Sequence, residues 1–150
     1  MGQSLAQVYL HLIFSTKNRY PFIHKEIENE LFAYIGGIIK NLNGIPFIIN
    51  GMADHIHILC SFPRSISLSD FLKTIKASSS LWIKTKGNQY QHFSWQDGYG
   101  VFSVSSSKKL IVENYIRNQK KHHQKLSFQE EVLRFLNEYH LEYDEKYLWN

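Results

Sequence analysis

Asp54-His55-Ile56-His57-Ile58-Leu59 opens the segment on which the fold turns. Residues two apart on a β-strand share a face. A strand here therefore sets Ile56, Ile58, Cys60 and Phe62 on one side and His55 with His57 on the other. The apolar side needs helices to cover it, and the opposite side brings two imidazoles next to each other. Just upstream, Ile45 to Ile49 is another apolar, β-branched run, and Asn50-Gly51-Met52-Ala53-Asp54 between the two runs is a turn cluster. The spacing predicts a hairpin whose second strand carries the histidines.

Working outward, Val8, Leu10, Leu12 and Phe14 alternate with Tyr9, His11 and Ile13, the period of a strand. Between this strand and the hairpin, Ile27, Leu31, Ile35, Ile38 and Leu42 recur at three and four residues, which predicts an amphipathic helix from Lys25 to Leu42, stopped by Asn43-Gly44. After the hairpin, Ser67-Leu68-Ser69-Asp70 has the form of a helix N-cap, followed by a stripe of Leu68, Phe71, Leu72, Ile75 and Trp82. The turn Gly98-Tyr99-Gly100 then leads into a short strand, Val101 to Val104. The order β-α-β-β-α-β predicts an α+β fold of the ferredoxin-like, RRM-like type. In it a split βαβ antiparallel sheet carries both helices on one face and leaves the other open.

Two further helices are expected. Lys108 to about Lys125 places Ile111, Tyr115, Gln119 and His122 on one face. Ser127-Phe128-Gln129-Glu130 is a capping box before a last stripe of Phe128, Val132, Phe135, Leu136 and Tyr139. The Ser-rich run from Ser103 to Ser107 is the one candidate hinge.

With 150 residues, 43% hydrophobic and 15% aromatic, the chain has the size of one domain and too much apolar surface to stay disordered. No apolar run approaches the roughly 20 residues of a membrane span, and the N-terminus lacks the order of a signal peptide, so a soluble protein is expected. A single cysteine, Cys60, excludes an internal disulfide and a Cys-rich zinc module, so a metal would have to use His, carboxylate or amide ligands. The net charge of +4 is unevenly spread. Residues 1–125 hold 15 Lys and Arg against 7 Asp and Glu, and residues 126–150 hold 2 against 6. A basic body of this kind suits a polyanionic partner, nucleic acid being the usual one.

Taken alone, each chemical signal is unspecific. Eight histidines in this length give about 0.4 His-x-His pairs by chance, and a tyrosine on an apolar helix face is ordinarily core. Around Tyr115, however, stand Lys108, Lys109, Arg117, Lys120, Lys121 and Lys125 with only Glu113 opposing them, a setting that suits phosphate.

Together these residues resemble a family. His55-Ile56-His57 matches the His-hydrophobic-His motif of the HUH endonucleases. Tyr115 with Gln119 four residues on is similar to the tyrosine helix of their single-tyrosine insertion-sequence transposases, the TnpA-like family. The stretches Trp95 to Val104 and Tyr115 to His123 resemble that family in wording and order, and the likeness covers nearly the whole chain, so residues 1–150 are expected to form a single HUH transposase domain.

The resemblance implies that His55, His57 and Gln119 bind a divalent metal, Mg²⁺ or Mn²⁺, with Zn²⁺ also acceptable to imidazole. It makes Tyr115 the nucleophile that cleaves and rejoins single-stranded DNA at insertion-sequence ends through a covalent 5′-phosphotyrosine link. The implied partners are single-stranded DNA with subterminal hairpins and a second copy of the chain, in a homodimer whose active sites are shared. No membrane partner is implied, and the compartment expected is the bacterial cytoplasm. Candidate DNA contacts are Lys17, Arg19, Lys73, Lys76, Arg117, Lys120 and Lys121, with Lys84 and Lys86 as further basic residues. His11 and Asp54 are placed to orient the site, and His122 to add a ligand or a phosphate contact. Two alternatives stay open at this point. One is a domesticated, repeat-associated HUH nuclease, and the other is a noncatalytic RRM-like nucleic-acid-binding module.

Overall fold

The computed structural model describes residues 2–123 and 126–150, and of His122 the backbone only. In chain order the elements are β1 (Tyr9–Ser15), α1 (Lys25–Asn41), β2 (Ile45–Met52), β3 (His55–Ser61), α2 (Leu68–Ile83), β4 (Gly100–Val104), α3 (Lys109–Arg117), α4 (Gln119–His122), α5 (Phe128–Glu138) and α6 (Glu145–Leu148). The four strands form one antiparallel sheet in the order β2-β3-β1-β4. This is the ferredoxin-like α+β arrangement that the element order predicts.

The alternation in β1 and β3 decides which side chains meet which helices. Leu10, Leu12 and Phe14 of β1, with Ile56, Ile58 and Cys60 of β3, pack against Leu31, Ile35 and Ile39 of α1 and Phe71, Leu72 and Ile75 of α2. Ser67 caps α2 as expected, its Oγ accepting from the amide of Asp70 at 3.1 Å.

The second face of the sheet is not open. Ile13 and Phe102 are covered by Phe128, Val132 and Phe135 of α5. Leu59 and Val104 are covered by Ile116, Val112 and Tyr115 of α3. Four large apolar side chains on that face are costly to leave in water, and the two C-terminal helices supply the stripes that bury them.

Three local expectations are corrected. The segment Asn50 to Met52 is paired strand rather than turn, with Asn50 opposite His57 and Gly51 opposite Ile56, so the reversal is confined to Ala53 and Asp54. The hinge narrows, because Ser103 and Val104 stay paired with Leu10 and Tyr9, leaving the joint at Ser105 to Lys108. The tyrosine helix is not continuous. Asn118 leaves helical geometry at φ −95°, ψ 18° and separates α3 from α4. Asparagine favours such breaks because its side chain competes with the helix ladder. The carbonyls released there, of Ile116 and Arg117, accept hydrogen bonds from Nδ2 of Asn50 at 3.0 and 3.2 Å. The expected end near Lys125 lies outside the described residues. The short α6 was not expected from the sequence.

Candidate active site

His55 and His57 sit on β3 beside the tight turn at Ala53-Asp54, and Gly51 on the paired strand allows this. A Cβ at Gly51 would collide with the carbonyl oxygen of His55, so the two backbones approach as only glycine permits. Above this face lie α3, α4 and α5. The Tyr115 ring is centred 5.9 Å from that of His57, and Gln119 Oε1 lies 3.3 Å from His55 Nε2. The structure thus brings together, within one chain, all four residues that the family resemblance implies as metal ligands and nucleophile.

Each histidine is held from behind. Asp54 Oδ1 accepts from His55 Nδ1 at 2.7 Å, which leaves Nε2 of the ring facing the site. His57 Nδ1 lies 2.8 Å from His11 Nε2 on the neighbouring strand. That bond works with either tautomer, so Nε2 of His57 can donate to a carboxylate or present a lone pair to a cation. Burial drives His57 down to about 4 against the opposing pull of the Glu131 carboxylate, and burial, then His57, holds His11 well below the usual imidazole range. Both rings are therefore neutral near pH 7, the state a metal ligand requires.

Sequence reasoning does not single out Glu131, yet this α5 residue is the centre of the site. His55, His57, Gln119 and Glu131 are all 0% exposed. Glu131 Oε1 accepts from His57 Nε2 at 2.7 Å and from His123 Nε2 at 3.1 Å. Its Oε2 accepts from Gln119 Nε2 at 3.0 Å and from the Tyr115 hydroxyl. Burial alone would raise this carboxyl, but the bonds from His123 and His57 overcome it and hold Glu131 far below the usual carboxylate range. Burial, reinforced by the adjacent Glu131 charge, pushes the Tyr115 phenol up, so it stays protonated in this arrangement. A sequence signal did exist: Glu131 stands three residues after Phe128 and four before Phe135, an acid on the buried stripe.

The donor set fits a divalent cation. One ligand atom from each of His55, His57, His123 and Glu131 lies within 4.8 Å of all the others. With the Gln119 amide turned by its bond to Glu131, Gln119 Oε1 also faces His55 Nε2 at 3.3 Å. Imidazole with oxygen ligands suits Mn²⁺, Mg²⁺ or Zn²⁺. Beside the site, a cavity of ≈ 380 Å³ is lined by Met52, Asp54, His123, Leu126, Ser127 and Phe128.

The candidate DNA contacts divide into two groups. Lys73 and Lys76 line a cavity of ≈ 320 Å³ with Trp95 and Tyr99. Lys17 lines a second cavity that shares Asp97 with it, and Arg19 lies 5.9 Å from the ring of Trp149, which also lines that second cavity. Lys76 is partly committed, its Nζ donating to the carbonyls of Asp97 and Gly98 at 3.0 and 2.8 Å. Arg117, Lys120 and Lys121 stand apart at the α3–α4 break. Lys120 pairs with Glu28 at 2.6 Å and Arg117 donates to Asn114 at 2.9 Å, while Lys121 is exposed. The role considered for His122 concerns a side chain outside the described residues.

Comparison with known proteins identifies a family and a shared fold. The family model described as IS200-like transposase matches residues 4–119. The ISDra2 transposase TnpA of Deinococcus radiodurans is 26% identical over 119 residues, covering 75% of this chain and 84% of that protein. Two solved structures share the fold. One is a Deinococcus radiodurans protein described as a transposase, with TM-score 0.62 and 23% identity over 79% of this chain and 96% of that one. The other is a REP-associated tyrosine transposase bound to a REP hairpin, with TM-score 0.56 and 13% identity over 82% of this chain and 74% of that one. With its motif strand, tyrosine helix and more than half its length matched, the chain belongs to the IS200-like transposase family.

Proposed function

We propose that this chain, acting as one domain over residues 1–150, cleaves and rejoins single-stranded DNA at insertion-sequence ends through a 5′-phosphotyrosine link on Tyr115. The observation that carries this reading is the convergence of Tyr115, His55, His57 and Gln119 on one buried polar centre. Binding of nucleic acid alone would not require it.

In the forward step the Tyr115 oxygen attacks the scissile phosphorus, the bond to the 3′ oxygen breaks, and the proton given up by the phenol is balanced by one taken up, through solvent, by the leaving 3′ oxygen, which becomes a free 3′-hydroxyl. Attack by a DNA 3′-hydroxyl on the phosphotyrosine reverses the sequence and regenerates tyrosine, so no external energy source is consumed. His55, His57 and Gln119 would hold Mg²⁺ or Mn²⁺, which when bound polarises the phosphate oxygens and offsets their charge. The Asp54 and His11 contacts fix the two imidazoles, and the joint at Ser105 to Lys108 sets where Tyr115 can stand.

The substrate reading is single-stranded DNA with subterminal hairpins, supported by the REP hairpin bound to a transposase of this fold. Lys17, Arg19, Lys73 and Lys76 around the Trp95–Tyr99 cavities, and Arg117, Lys120 and Lys121 near the tyrosine, are the proposed DNA contacts. The assembly reading is a homodimer in which the tyrosine helix of one protomer can complete the histidine pair of the other. Leu110 and Ile111, 65% and 60% exposed at the start of α3, support a helix able to seat on a second chain. Among the described residues no helix is long and apolar enough to cross a membrane, and the bacterial cytoplasm is the proposed compartment.

Incubation with single-stranded DNA of its own flanking sequence and Mn²⁺ tests the reading. A protein–DNA adduct should survive a denaturing gel and should fail to form when the metal is chelated before DNA is added. Noncovalent binding with no adduct would favour a plain nucleic-acid-binding module.

A further inference from the structure

The family match ends at Gln119, but the buried polar centre continues twelve residues further, to Glu131 on α5. Phe128 and Leu136 of the same helix are buried, with Val132 and Phe135 packed on the sheet. The helix is thereby fixed in a rotation that drives residue 131 inward. A carboxylate is almost never fully buried without a strong compensating partner. Here the atoms facing it are imidazole nitrogens able to hold an ion, His57 Nε2 at 2.7 Å, His123 Nε2 at 3.1 Å and His55 Nε2 at 3.5 Å.

Resting on the reading of this centre as a divalent-metal site, we infer that Glu131 is an additional protein ligand of the ion, so that α5 is part of the metal centre. Two observations carry the assignment beyond proximity. First, the ligand atoms of His55, His57, His123 and Glu131 lie mutually within 4.8 Å, close to the separation of about 4.4 Å that opposite ligands on one ion span with bonds of roughly 2.2 Å, so a shift of a few tenths of an ångström lets them share an ion. Second, His55, His57 and Gln119 are all neutral ligands, which would leave the whole charge of a divalent ion uncompensated at a buried position. One carboxylate oxygen halves that charge and supplies the hard donor that Mg²⁺ and Mn²⁺ favour. An ion held in this way also ties the docking of α5 to metal loading, since Glu131 reaches the site only with the helix seated.

The opposing account makes Glu131 a plug that pairs with the histidines and excludes the ion. The two accounts differ in sign. Removing a ligand weakens metal binding, whereas removing a competitor strengthens it. Mn²⁺ affinity is measured by isothermal titration calorimetry for the full chain, for Glu131→Gln, and for Glu130→Gln as an exposed neighbour on the same helix.

The inference expects Glu131→Gln to lose roughly 10-fold or more in affinity, with Glu130→Gln unchanged. Equal or tighter binding by Glu131→Gln overturns it. If Glu131→Gln fails to fold, hydrogen exchange of the unaltered chain decides, because Mn²⁺ should slow exchange of the α5 amides, and unchanged or faster exchange overturns the inference. Absence of Mn²⁺ binding by the unaltered chain would remove the metal reading as a whole. Binding that Glu131→Gln leaves intact would remove only this assignment.

Discussion

His57 Nε2 lies 2.7 Å from Glu131 Oε1, a bond that fastens the motif strand β3 to a helix 74 residues further along the chain. Behind it, His57 Nδ1 meets His11 Nε2 at 2.8 Å, so the central imidazole is fixed at both nitrogens. Strand, tyrosine helix and C-terminal helix therefore share one polar centre, and a change at any of them should be felt at the others.

The first consequence concerns His11, which is buried and is bonded to the centre through His57. His11→Phe keeps an aromatic ring beside Phe102 and Phe135 but removes the bond to His57. Partners behind metal-binding histidines are typically worth about 10- to 100-fold in metal affinity. Mn²⁺ titration should show a loss in that range with the circular dichroism spectrum unchanged, and an unaltered affinity would mean that His11 is only core.

The fold should rest on the helix-covered face of the sheet. Leu31 is 0% exposed in the middle of α1 and belongs to the cluster joining α1 to β1 and β3. Leu31→Ala should cost about 2–5 kcal/mol in urea unfolding, from lost burial and the cavity left behind. A loss well under 1 kcal/mol would place the core elsewhere.

Cys60 gives a chemical test of the same packing. It is fully buried, and burial pushes its thiol up to about 12. Since the thiolate is the reactive form, the folded protein at pH 8 should resist iodoacetamide while the urea-unfolded chain reacts, as read by mass spectrometry. Ready alkylation of the folded protein would contradict the placement of β3.

Much of this was legible in the sequence because strand parity is a short-range rule. The separation of His55 and His57 from Ile56, Ile58 and Cys60 follows from alternation alone, and the structure keeps it. That Tyr115 and Gln119 share a helix face follows from helical spacing, and their assignment to the site from the family resemblance, although the break at Asn118 does not follow from either, because it depends on Asn50 being near enough to bond the released carbonyls. The covering of the second sheet face and the burial of Glu131 were hidden for the same reason. Both arise from docking between segments far apart in sequence, and an acid on an apolar stripe shows only that something must meet it.

Assembly is testable by complementation. Tyr115 stands against its own chain's histidines in this structure, while the proposed dimer shares sites across chains. Tyr115→Phe and the double variant His55→Ala, His57→Ala should each be inactive alone, and mixing them should restore one intact site per heterodimer. If subunits demonstrably exchange and no cleavage returns, the shared-site proposal fails and the tyrosine acts on its own chain's pair.

The central claim is that Tyr115 becomes covalently joined to DNA. After reaction with single-stranded flanking DNA and Mn²⁺ followed by nuclease digestion, peptide mass spectrometry should find a nucleotide attached to Tyr115. Tyr115→Phe, which removes only the phenolic oxygen, should give no adduct while retaining its fold and DNA binding. An adduct on another residue, or one that persists in Tyr115→Phe, would contradict the account.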